Sequence, residues 1–119
     1  MVLNSNGVNS EIVAHILPEK IMRGIGFTDN MPDRWYYCRI LVSDKFGGIS
    51  FNVTIPKDGS DLDIEVLDEA FCQPYDYQFI RNADPSAEFA KNVFEKVEEE
   101  MKYLQDAGVL SGHNYGEYI

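Results

Sequence analysis

Asp61, Asp63 and Glu65 alternate along one short stretch, with Asp58, Asp68 and Glu69 close by, and together they form the densest set of groups able to hold a cation. A calcium loop opening at Asp61 needs glycine at its sixth position and a carboxylate at its twelfth. Those places hold Val66 and Cys72, so the loop fails and a solvated strand face accounts for the acids. Zinc needs paired Cys or His spacing, and His15, Cys38, Cys72 and His113 show none. A cysteine nucleophile needs a base beside it, yet both histidines stand near the ends of the chain. Gly24-Ile25-Gly26-Phe27-Thr28-Asp29 opens like a dinucleotide fingerprint, but Asp29 stands where the third glycine belongs and a loop composition follows. No Gly-x-Ser-x-Gly and no Walker sequence is present. Glu69, in Glu-Ala-Phe-Cys, is the one carboxylate worth inspecting as a buried acid, with a surface junction as the plainer reading. No catalytic residue, cofactor or metal is therefore assigned.

What remains is recognition by surface. Trp35, Tyr37 and Arg39 are residue types enriched at binding hot spots, and strand alternation puts them on one face. Asn52 and Glu65 join them as neighbours across two strand spacings. The five residues Trp35, Tyr37, Arg39, Asn52 and Glu65 form the expected interaction surface. Residues 11–27 could instead pack over Trp35 and close it within the subunit.

Three segments must position this surface. In 34–43, Tyr36, Cys38, Ile40 and Val42 fall on one face and Trp35, Tyr37, Arg39 and Leu41 on the other; Ile49, Phe51, Val53 and Ile55 alternate with Ser50, Asn52 and Thr54; Leu62, Ile64 and Val66 alternate with Asp61, Asp63 and Glu65. Period-two alternation marks half-buried antiparallel strands. Four-residue loops at 44–47 and 57–60 pair Val42 with Ile49, Ile40 with Phe51, Cys38 with Val53 and Tyr36 with Ile55. They also pair Ile55 with Leu62, Val53 with Ile64 and Phe51 with Val66. That register puts Tyr36 and Cys38 in the core and Trp35 and Tyr37 outside, and a slip of one residue would reverse it.

Upstream, 1–10 reads as a frayed start, 11–17 as a strand or short helix ended by Pro18, and 20–27 as a weak strand bent at Gly24 and Gly26. Downstream, Pro74 opens a short helix through Asn82 with Tyr75 and Phe79 on its apolar side. Asp84 caps a long helix starting at Pro85, whose stripe is Phe89, Ala90, Val93, Phe94, Val97, Met101 and Leu104. Gly108 stops it, and 111–119 is a tail. The expected fold is α+β: one domain over 1–119, an antiparallel meander of three to five strands against one long C-terminal helix, with a short helix before it.

Charge narrows the function classes. The chain of 119 residues has a formal net charge of −10, which argues against direct contact with nucleic acid or an anionic membrane. Residues 1–57 hold five acids and six bases, whereas 58–119 hold fifteen acids and four bases, so the acidity belongs to the second half. No apolar run approaches the length of a membrane span, and no basic residue or apolar stretch marks a secretory signal before Lys20. The two cysteines then read as free thiols in a reducing, cytoplasmic compartment. These features point to a small acidic, non-catalytic protein-interaction module whose partner is another protein or a second copy. Two alternatives stay open: an acidic mimic of DNA that binds a basic protein, and a small-ligand enzyme using a carboxylate.

Overall fold

The computed structural model describes residues 12–44 and 47–112. The chain runs β1 (Val13–Ala14), α1 (Glu19–Ile25), β2 (Arg34–Asp44), β3 (Gly47–Pro56), β4 (Asp63–Asp68), β5 (Gln73–Pro74), α2 (Tyr77–Ala83), α3 (Glu88–Asp106) and β6 (Leu110–Ser111). β2, β3, β4 and β5 form one antiparallel meander in that order, and β1 pairs with β6 in a separate two-stranded ribbon. The α+β architecture of an antiparallel meander against a long C-terminal helix, preceded by a short helix, is as expected. Among the described residues no helix is long and apolar enough to cross a membrane.

The β3–β4 register follows the apolar pattern: Phe51 faces Val66, Val53 faces Ile64 and Asn52 faces Glu65. Phe51, Val53, Ile64 and Val66 are fully buried. The β2–β3 register does not follow it throughout. Val42 faces Ile49 as expected, but the pairing shifts between Ile40 and Val42, and beyond it Tyr37 faces Val53 and Trp35 faces Ile55. Leu41 is the extra residue of a β-bulge. A bulge sets two residues against one and so exchanges the faces of everything before it. Trp35 and Tyr37 are thereby the core residues, while Tyr36, Cys38 and Ile40 lie on the outer face with Thr54, Asn52 and Ser50. Strand pairing also reaches Asp44 and Gly47, two of the four residues expected in the loop. Gly48 is required at this bend: a Cβ there would stand 2.4 Å from the Val42 carbonyl oxygen.

Helix α3 covers the inner face with Ala90, Val93, Phe94, Val97, Met101 and Leu104, spaced by three and four residues along one side. Its end is the expected glycine stop. Gly108 has φ +89°, its N–H reaches the Gln105 carbonyl at 3.0 Å, and the Val109 N–H reaches that of Leu104 at 3.1 Å. Its start lies later than expected. Asp84 accepts from the Ser86 hydroxyl at 2.7 Å in a local turn, and the helix begins at Glu88 after Ala87. Similarly, Pro74 pairs in β5, and Asp76 caps α2 by accepting from the Phe79 N–H at 3.1 Å. Residues 19–25 are a helix where a weak strand was expected. Met22 and Ile25, three apart, are both buried, and Gly26 ends the helix as the chain turns into buried Phe27. Residues 1–10 and most of the 111–119 tail lie outside the described residues.

Candidate interaction groove

The five residues of the expected surface do not share a face. Trp35 is 3% exposed and Tyr37 1%, so the folded subunit cannot present either ring. The bulge at Leu41 is the physical reason. Elements from the 11–27 stretch contribute to the closure of Trp35: the Arg23 guanidinium lies 5.4 Å from its ring centroid, and the Lys57 ammonium lies at 4.5 Å. Asp29 ties these two cations together, at 2.6 Å from Arg23 Nη2 and 3.1 Å from Lys57 Nζ. The hydrogen bond from Lys57, joined by that from Arg23, holds the Asp29 carboxyl below the ordinary carboxylate range.

Tyr37 is closed from the other side. Its hydroxyl donates to Glu100 Oε1 of α3, and its ring stands 5.1 Å from that of Phe27. Burial first, and the Glu100 carboxylate second, push the Tyr37 phenol above its usual range. Arg39 is exposed, with its guanidinium 4.6 Å above the Tyr37 ring. Tyr103 adds a hydroxyl bond of 2.9 Å to the Ile25 carbonyl, so α1, β2 and α3 meet in one tied aromatic cluster.

Asn52 and Glu65 lie on the opposite, outer face. The Tyr36 hydroxyl donates to Asn52 Oδ1 at 2.5 Å, and Asn52 Nδ2 donates to Ser50 Oγ at 3.0 Å. Burial, then a hydrogen bond with Cys38, pushes the Tyr36 phenol up to about 12. A hydrogen bond with Asp63 raises Glu65 above its usual value, followed by partial burial. Cys38, expected in the core, is therefore part of this partly exposed polar row. Glu69 is exposed and its backbone N–H donates to the Gly48 carbonyl at 2.8 Å, which makes it a turn residue. His15 bonds Ser111 Oγ at 2.9 Å on the β1–β6 ribbon, and His113 lies outside the described residues. Among the described residues no three His, Cys, Asp or Glu side chains converge to hold a metal ion.

A different place in the fold is open and apolar. Val42 and Ile49, just beyond the bulge, meet Ala70 and Phe71 of the β4–β5 turn, Tyr75, and Phe89 of the first turn of α3 around a cavity of about 200 Å³. Tyr75 and Phe89 meet edge to face at 6.5 Å. The hairpin is pressed onto the turn closely enough that a Cβ on Gly47 would lie 2.7 Å from that of Ala70. Asp68 lines the rim, where its carboxylate accepts from the Ala70 N–H at 3.0 Å. Burial, with Asp68 nearby, raises the Tyr75 phenol above its usual value. Phe71 is 72% exposed and Phe89 54%. Neither position was expected to be open. The residue pattern puts Phe89 in the apolar stripe of the long helix and gives Phe71 no element, and Phe79, expected on an apolar side, is 70% exposed. The one available signal was Phe89 sitting at the very start of its stripe, where a helix can overhang the sheet it covers.

No family model matches the chain, and no curated protein matches it. Its fold is similar to the crystal structure of a DUF1831 family protein from Lactobacillus plantarum, with a TM-score of 0.65 at 12% identity, covering 93% of this chain and 92% of that one. At that identity the likeness establishes a shared fold alone.

Proposed function

We propose that the chain is a non-catalytic protein-interaction module that receives an apolar side chain of its partner between Phe71, Tyr75 and Phe89. The observation that carries this reading is the exposure of the Phe71 and Phe89 rings at the mouth of an aromatic-lined cavity. Exposed aromatic side chains around a concavity cost solvation and are the usual anchors of interfaces. The Asp68 carboxylate at the rim is engaged with the turn backbone, and the raised carboxyl of Glu65 belongs to the polar row of the outer sheet face. Neither is placed as an acid or base over the groove, which favours binding over catalysis.

Replacing Phe71 with a photo-crosslinking phenylalanine derivative in the native cell tests this. A discrete adduct is expected from position 71 and from no comparable probe at Thr54 on the outer face. Adding Phe89→Ser should remove it. Equal labelling from both positions, or none from position 71, would overturn the reading.

A further inference from the structure

From the charge around the groove we infer that its occupant is a cationic peptide segment of another protein carrying one bulky apolar side chain. This rests on the reading of the groove as a docking site and adds the chemistry of what docks. Phe89 belongs to two adjoining concavities. One is the aromatic groove, and the other is a shallow depression along α3 lined by Glu88, Phe89, Lys91, Asn92 and Glu95. Glu88 and Glu95 are seven residues apart, two helical turns or roughly 10 Å, on one side of α3. Asp68 also lines the aromatic groove, and Glu69 follows it in the β4–β5 turn. These four acids against Lys91 give the surround a net charge of −3.

An apolar anchor seated against Phe71 and Tyr75 thus meets carboxylates carried by two elements, α3 and the β4–β5 turn. A ligand that fits both features places its apolar side chain in the groove and its basic residues along α3 and the β4–β5 turn. Charge complementarity of this kind selects partners and speeds their encounter. The same field disfavours a second copy as occupant. Each chain carries −10, and the half that supplies Phe71, Tyr75 and Phe89 carries fifteen acids against four bases.

The test is selection from a displayed library of random dodecapeptides on the full chain, with counter-selection on a Phe71→Ser/Phe89→Ser variant whose fold is confirmed by circular dichroism. Enriched peptides that need the two rings should share a bulky apolar residue and a net positive charge. For one such peptide, affinity should fall about tenfold or more between low and high salt, and by a similar factor in Glu88→Lys/Glu95→Lys. Ring-dependent peptides of neutral or negative charge would overturn the cationic class while leaving the docking site standing. Enrichment indifferent to the two rings would overturn the docking site itself.

Discussion

Two aromatic clusters sit at different places in this protein, and only one is closed. Around Tyr37, every ring is packed or its hydroxyl is tied: Tyr37 to Glu100, Tyr103 to Ile25, and Trp35 under Arg23 and Lys57. Around Phe89, the Tyr75 ring meets it edge to face, yet Phe71 and Phe89 remain mostly in solvent. Residue type does not separate the two, since Trp and Tyr are as typical of cores as of interfaces. What separates them is cover: α1 and α3 close the first cluster, whereas the second lies where the first turn of α3 meets the hairpin and the β4–β5 turn. The lesson is that an aromatic stripe in a strand is a weaker pointer to a binding surface than an aromatic at the end of a helix that nothing overlaps.

The difference can be broken hardest at the bulge. Inserting one alanine between Ile49 and Ser50 gives Leu41 a partner, abolishes the bulge and sets Trp35 and Tyr37 on the face opposite to Val42. The expected outcome is loss of the cooperative unfolding transition in urea, because a one-residue slip turns the buried side chains outward. Next in size is truncation inside the closed cluster. Tyr37→Ala should cost about 3–5 kcal/mol, as for other large core side chains, read from the shift in the urea midpoint. In the open cluster Phe71→Ala should change stability by less than about 0.5 kcal/mol by the same measurement, as for other exposed positions. Comparable costs at positions 37 and 71 would erase the distinction.

The smallest effect concerns the lid of ions over Trp35. Asp29 titrates lower in the folded chain than its ordinary value, so its contribution is fully present above about pH 4. It is lost as pH falls through the depressed folded value. The difference in melting temperature between the protein and Asp29→Asn should therefore be constant from pH 7 to pH 5 and shrink below pH 4. A gap that widens in acid would mean that Asp29 is not held by Lys57 and Arg23.

Much of this fold was legible in the residues. The apolar pairs Phe51–Val66 and Val53–Ile64, the α3 stripe from Ala90 to Leu104 and the Gly108 stop all follow from period and chemistry. The inner face of β2 was not legible, because between Arg34 and Val42 both parities carry apolar or aromatic residues, with one arginine on each. A ladder with a bulge at Leu41 and one without it also give the same Val42–Ile49 pair. Helix α1 was hidden by Gly24, which sits within it, and by the short span between Met22 and Ile25. The groove was not legible at all, since 42–49, 68–75 and Phe89 come from three distant parts of the chain and meet only through tertiary packing.

Hydroxyl-radical footprinting with residue-level mass spectrometry compares the two clusters in a single sample. Phe71, Phe79 and Phe89 should be oxidised rapidly, while Trp35, Tyr37 and Phe51 stay protected until the chain unfolds. Labelling of Trp35 and Tyr37 as fast as that of Phe71 would contradict the account, because the bulge would then not turn them inward and the sheet face would be the open surface.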